Sequence, residues 1–139
     1  MGWYWGVQHG LAENNRIEGC PIGISIGHRD THNTLRGNSI RRCTQIGLQF
    51  RDDPPDRAAH FTRVEDNQFE DIGAPGAPGW GIDLRAPVRG CVLRGNRFVC
   101  TRPGLMRGGI RTDARTGPLE LDNNRAQGLK HTIEKDESR

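Results

Sequence analysis

Side chains able to do acid–base or anion chemistry recur in spaced pairs along this 139-residue chain: Gln49 with Arg51, Asp83 with Arg85, and Arg111 with Asp113. A carboxylate such as Asp83 or Asp113 can act as general acid, general base or cation ligand. A guanidinium such as Arg51, Arg85 or Arg111 can neutralise and orient an acid group on a substrate. Polar residues at alternate positions are equally what a strand presents to solvent, so the solvated-face reading stands beside the functional one.

Other residues compete for a role. His28, Arg29, Asp30 and His32 form the most polar short loop, and His60 ends a later one. Two histidines with an aspartate can hold a metal, but the spacing matches no zinc pattern and a capped turn uses the same residues, so no metal site is assigned. Trp3, Tyr4 and Trp5 are the one aromatic cluster. Such rings stack on sugars or nucleobases, and they also cover the open end of a repeat array. Cys20 and Cys43 each follow an Asn by five residues and so fall at equivalent repeat positions, while Cys91 and Cys100 flank Asn96. An inward stack of reduced thiols and a Cys20–Cys43 disulfide are the two readings.

The elements that position these residues are repeats. Leu93-Arg94-Gly95-Asn96-Arg97-Phe98 reappears as Leu35-Arg36-Gly37-Asn38-Ser39-Ile40, Val64-Glu65-Asp66-Asn67-Gln68-Phe69 and Leu121-Asp122-Asn123-Asn124-Arg125-Ala126, with a looser copy around Asn15. The shared asparagines are 23, 29, 29 and 28 residues apart, a period typical of solenoids. Downstream of each lies a Gly-apolar-polar-apolar segment: Gly23-Ile24-Ser25-Ile26, Gly47-Leu48-Gln49-Phe50, Gly81-Ile82-Asp83-Leu84 and Gly109-Ile110-Arg111-Thr112. Alternation of this kind marks strands, and each period holds three short ones with no helix between them. Helical pattern is weak and confined to residues after Gly128. The expectation is an all-β chain: a right-handed single-stranded parallel β-helix of about five coils, stacked about 4.8 Å apart. A leucine-rich repeat has a shorter period and denser leucines.

Stacked positions make chemical sense in that register. Asn14, Gly37, Asp66, Gly95 and Asn123 precede the repeated Asn and are the types that tolerate a left-handed corner. The asparagines beside them form an asparagine ladder that passes amide hydrogen bonds between coils. Outward positions alternate in sign, as Glu13, Arg36, Glu65, Arg94 and Asp122, and as Glu18, Arg41 and Glu70. Such columns favour one register over a slipped one. Leu35, Val64, Leu93 and Leu121, with Ile17, Ile40, Phe69 and Phe98, are the expected core. Surface loops are expected over residues 28–33, 52–61, 85–90 and 113–118, and before the Gly-led strands over 20–22, 43–46, 71–80 and 100–108.

Composition sets outer bounds. A 33% hydrophobic content permits only a thin, regular core. Net charge is +3 from 20 basic and 17 acidic residues spread along the chain, which argues against nucleic acid as a partner. No run approaches a membrane span, and no signal-peptide pattern opens the chain, so the sequence assigns no compartment. Residues 1–128 read as the β-helix domain, poorly capped, and 129–139 as a polar tail. Uncapped ends predict self-association as a homo-oligomer, or a slice of a longer protein.

The N-x-I corner with GI-x-I strands at these periods resembles the pectate-lyase-like superfamily of right-handed β-helix proteins. The likeness is closest to uncharacterised bacterial members with an I-G-H-R-D-T stretch like residues 26–31. The resemblance implies a scaffold shared by lyases, glycosidases, epimerases and phage tailspikes, and a groove along the outer face of the Gly-led strand. Mapped residue by residue, that groove comprises Ser25, Gln49, Asp83 and Arg111, with Gly27, Arg51, Arg85 and Asp113 two positions on. It implies Asp83, Asp113 and Arg85 as catalytic residues, and Gln49, Arg51, Arg111, His28 and Arg29 as contacts to an acidic polysaccharide. Calcium is the one cofactor the analogy brings. Arg85-Ala86-Pro87-Val88-Arg89 is one residue short of the R-x-P-x-x-R of pectate lyases. Asp52-Asp53 and Gly27-His28-Arg29 stand in reverse order to their polygalacturonase counterparts. Neither mechanism is carried over. The expectation is a polysaccharide-associated protein, of lyase, hydrolase or epimerase type or purely binding. The alternative is a non-catalytic assembly module.

Overall fold

The computed structural model describes residues 6–137, so the Trp3-Tyr4-Trp5 cluster lies outside the described residues. The chain passes through three parallel sheets in turn. The first circuit is β1 (Leu11–Glu13), β2 (Arg16–Glu18) and β3 (Ile22–Ile26), and the second is β4 (Thr34–Arg36), β5 (Ser39–Arg41) and β6 (Ile46–Phe50). The third is β7 (Arg63–Glu65), β8 (Gln68–Glu70), the short β9 (Gly73–Ala74) and β10 (Ala77–Leu84). Then follow β11 (Val92–Arg94), β12 (Arg97–Val99) and β13 (Met106–Asp113), and finally β14 (Glu120–Asp122), β15 (Arg125–Gln127) and β16 (Ile133–Asp136). A single 3-10 turn, Pro55–Arg57, is the helical element among the described residues. Sheet 1 is β1-β4-β7-β11-β14, sheet 2 is β2-β5-β8-β12-β15, and sheet 3 is β3-β6-β10-β13-β16. One strand per sheet per circuit is the arrangement of a parallel β solenoid.

Registers follow the repeat. Ala12, Leu35, Val64, Leu93 and Leu121 are successive partners in sheet 1, as are Ile17, Ile40, Phe69, Phe98 and Ala126 in sheet 2. Leu35, Val64, Leu93, Ile40, Phe69 and Phe98 are buried. Leu121 is 44% exposed, because β14 is the edge strand of its sheet among the described residues.

Between sheets 1 and 2 the chain turns at Asn14, Gly37, Asp66, Gly95 and Asn123, all with φ between 54° and 67°. The next residue in each case is the repeated asparagine. Asn67 Oδ1 accepts both the backbone N–H of Asn38 at 2.9 Å and its side-chain Nδ2–H at 3.0 Å. Asn67 Nδ2 donates in turn to Leu35 O and to Asn96 Oδ1. The same bonds join Asn15 to Asn38 and Asn96 to Asn124. Every corner amide thus finds a partner one circuit away, which a buried polar group requires.

The glycine that opens each strand segment of sheet 3 has a steric cause. A methyl on Gly81 would land on the Phe98 ring, and one on Gly47 would sit 2.5 Å from Phe69. Phe69 and Phe98 stack at 5.3 Å between centroids, so the phenyl column in sheet 2 fills the space that glycine leaves in sheet 3.

Two loop assignments change. Residues 71–80, expected as loop, fold back as an antiparallel hairpin in which Ala74 pairs Ala77 and Gly73 pairs Pro78. Pro75 with Gly76 at φ 77° supplies the turn, the Pro-Gly chemistry of a type II bend. The hairpin extends β10 back to Ala77, and β13 likewise starts at Met106. Among the described residues after Gly128 there is no helix: β16 pairs with β13 and continues sheet 3 into the polar tail. No helix among the described residues is long and apolar enough to cross a membrane.

Gly81→Ala is expected to lower stability by about 1–3 kcal/mol, the cost of overpacking a filled core. Combining it with Phe98→Leu should cost less than the sum of the two changes. Thermal melts of the three variants check this; additive losses would mean the two side chains do not compete for one space.

Candidate functional site

The outer face of sheet 3 carries the residues singled out above. Ser25, Gln49, Asp83, Arg111 and Glu134 are register partners in successive strands, and Asp113 pairs with Asp136 one step along. Asp83 lies one residue before the end of β10 and Asp113 ends β13, and each is followed two residues later by an arginine that folds back onto it. Arg85 Nε donates to Asp83 Oδ1 at 3.1 Å and its Nη2 to Oδ2 at 2.9 Å, while the Arg85 backbone N–H also reaches Oδ1 at 3.0 Å. Arg115 repeats the arrangement on Asp113, with its backbone N–H on Oδ1 at 2.9 Å and Nη2 on Oδ2 at 2.7 Å. Both carboxylates are buried, and all their oxygens accept hydrogen bonds.

Longer reach ties the pairs together. Arg85 and Arg111 both donate to Asp136 Oδ2, at 3.4 and 2.9 Å, and Arg115 also pairs with Asp52. Thr116 Oγ1 donates to Leu84 O at 2.7 Å and accepts from Asp113 N–H at 3.1 Å, locking the 113–118 loop onto the circuit below. The Asp83 carboxylate holds the Arg85 guanidinium above its ordinary pKa, and Asp113 with Asp52 does the same for Arg115.

Beside this network lies a cleft of about 280 Å³, bounded by Gln45, Trp80, Asp83, Arg85, Arg107 and Arg111 among others. The Arg111 guanidinium lies 5.2 Å from the Trp80 ring centroid, a cation–π contact that covers the indole. Arg107 is the most exposed of the three guanidiniums, at 63%, with a single loose pair to Glu134 at 3.8 Å. Trp80, Gln45 and Arg107 escaped the sequence reading because the segments holding them read as loops. Arg115 and Asp136 escaped because nothing local marks which carboxylate an arginine will reach.

Asp83, Arg85 and Arg111 are therefore brought together, with Asp113 joined through Arg115. Gln49 and Arg51 instead turn toward Ser25: Ser25 Oγ donates to Gln49 Oε1 at 3.4 Å, and Arg51 Nη1 donates to Ser25 Oγ at 3.2 Å. His28 and Arg29 sit on a left-handed turn outside the cleft, where His28 N–H donates to Asp53 Oδ2 at 2.6 Å. Asp30 caps that turn, accepting from Gly27 and Val7 N–H. His32 stacks on Phe61 at 4.8 Å and His60 accepts from Arg89 N–H, so the loop histidines serve separate contacts.

The carboxylates do not fit calcium. Its six to eight oxygen ligands need converging free lone pairs. Asp83, Asp113 and Asp136 spend theirs on arginines, and no three His, Cys, Asp or Glu side chains converge among the described residues.

All four cysteines are free thiols, with Cys43, Cys91 and Cys100 buried and Cys20 partly exposed. Burial pushes the Cys43 thiol up, and the Cys91 thiol up to about 11. Because Cys91 stays protonated in the fold after it ionises in the unfolded chain, its contribution is intact below pH 9 and is lost as pH rises from 9.0 to about 11. Across that window the native chain should lose on the order of 2 kcal/mol more stability than Cys91→Ala, measured by denaturant melts. Alkylation of the folded protein should label Cys20 first; parallel pH profiles or early labelling of Cys91 would contradict its burial.

Comparison with protein-family models, with curated proteins and with solved structures finds no match, so the geometry of this cleft carries the functional reading.

Proposed function

We propose that this chain is a right-handed parallel β-helix with an asparagine ladder, of the pectate-lyase-like kind, that binds acidic polysaccharide along the outer face of sheet 3. The observation that carries the reading is the convergence of Arg85, Arg107 and Arg111 on one cleft beside Trp80. In this reading Arg107 and the free edge of Arg111 receive the carboxylate of a sugar acid, and Gln45 takes a hydroxyl. Asp83, Asp113 and Asp136 hold the guanidiniums in place and lower the entropy lost on binding. Catalysis by Asp83 or Asp113 would need a carboxylate oxygen freed from its arginine, which favours binding over turnover.

Titration calorimetry with uronate-containing and neutral oligosaccharides tests the proposal. Uronate chains should bind and neutral chains bind more weakly, with Arg107→Ala and Arg111→Ala each costing about tenfold, the size expected for one charge-assisted contact. Absence of binding to any uronate polymer, or native affinity retained in both variants, would sink it. Product released from any of these polymers would move the reading from binding to catalysis.

A second reading, a module that assembles through its terminal strands, is favoured by Leu11, Leu121 and Ile133, which are 55, 44 and 43% exposed on the first and last circuits. Light scattering should then give a mass above 15.5 kDa that falls when Leu121 and Ile133 are both changed to Lys. A single-chain mass at all concentrations would exclude it.

A further inference from the structure

Outward charges on sheets 1 and 2 are paired almost throughout. Arg36 meets Glu13 at 3.2 Å, Arg41 meets Glu70 at 2.6 Å, and Arg94 meets Glu120 at 3.0 Å and Asp122 at 3.6 Å. Among the described residues Arg16 stands alone beside uncharged Ser39, and Arg97 and Arg125 also break this rule. The latter two are direct register partners in β12 and β15, so two like charges stand one strand spacing apart, about 4.8 Å. Both are exposed, and neither guanidinium has an ion-pair or hydrogen-bond partner among the described residues. The next partner down the column is uncharged Gln68. Like charges facing each other across strands destabilise a sheet.

The two arginines also border a cleft of about 690 Å³ on the outer face of sheet 2. Gln127 and Asn123 contribute amides to its wall, and Phe98, Val99 and Ala126 line its floor. Asp66 is the one carboxylate lining it, set at the corner where its side chain lies over Gly95. Two adjacent guanidiniums without a carboxylate partner among the described residues, beside a concave surface, make a site for an anion.

We propose that Arg97 and Arg125 together bind a phosphoryl group, as free phosphate or as the phosphomonoester of a larger molecule. Charge selects this chemistry. A phosphomonoester carries about −1.5 to −2 at pH 7, with three acceptor oxygens. It can neutralise both guanidiniums and accept from each. A carboxylate or a sulfate ester carries one negative charge and leaves one arginine uncompensated. The site lies on a different sheet from the cleft of Arg107 and Arg111 and does not depend on that reading.

Thermal-shift and calorimetric titrations with inorganic phosphate, glucose 6-phosphate, glucose 6-sulfate and glucuronate test the proposal at constant ionic strength. Phosphate and glucose 6-phosphate should bind saturably and raise the melting temperature, with glucose 6-sulfate and glucuronate at least several-fold weaker. Tighter binding of glucose 6-phosphate than of phosphate would identify a phosphomonoester as the ligand, and the reverse would identify free phosphate. Affinity should fall as pH drops through the second phosphate ionisation near 6. Arg97→Gln and Arg125→Gln should each lose about tenfold or more in affinity, while Arg63→Gln, on sheet 1, keeps the native value. Without ligand, each of the two variants should melt at or above the native temperature, because it removes a like-charge contact; a structural role would predict a lower one. Non-saturable binding, equal response to chloride, or affinity that survives both substitutions overturns the proposal.

Discussion

The chain depends on one recurring hydrogen-bond arrangement: a buried asparagine whose amide serves the corner of its own circuit and that of its neighbour. Asn38, Asn67 and Asn96 are each 2% exposed or less, and each is bonded through backbone and side chain to the circuits on either side. A corner is where a solenoid would otherwise bury unpaired N–H and C=O groups. Once the corners are aligned by amide bonds, the three-residue strands on either side have their register set. The leucine and phenylalanine columns and the sign-alternating surface follow from that alignment. Short strands are marginal by themselves, so this stacking supplies what strand length does not.

Sheet 3 lies farthest around the circuit from those corners, and it is where the circuits differ. Its strands lengthen from five residues in β3 and β6 to eight in β10 and β13, and the hairpin and the 100–108 segment rise beside them. Polar residues gathered there are held by ion pairs between circuits, with Asp113 and Asp83 almost inaccessible behind their arginines. Partly buried pairs of this kind add little net stability, because desolvation offsets much of the attraction. Their effect is geometric: the guanidiniums of Arg85 and Arg115 are each fixed by two or more acceptors, and that of Arg111 by Asp136 and the Trp80 ring.

Charge therefore has two uses on this surface. On sheets 1 and 2 opposite signs in adjacent circuits discriminate against slipped registers, each exposed pair contributing about 0 to 1 kcal/mol. On sheet 3 the same residue types form a network that reaches across circuits, and the rim of that network leaves Arg107 little engaged. Arg97 and Arg125 follow neither pattern: they are outward arginines of sheet 2 that face each other in adjacent circuits.

Sequence by itself determined the period, the corners, the buried columns and the outward face of sheet 3, because each is written in residues that recur at the same place in every circuit. Glycine, asparagine or aspartate before each repeated Asn, and an apolar residue two positions after it, need no knowledge of neighbours. Tertiary structure alone decided which residues meet across circuits. Arg115 reaches Asp52 across 63 residues, Arg85 and Arg111 share Asp136, and Gly81 is glycine because Phe98 occupies its space. It also decided that Pro75-Gly76 closes a hairpin and that the polar residues after Gly128 yield a strand, since both pair with strands already built. Long side chains choose among several partners by distance, and a glycine's reason lies in the volume opposite it; neither distance nor volume exists until the circuits are stacked.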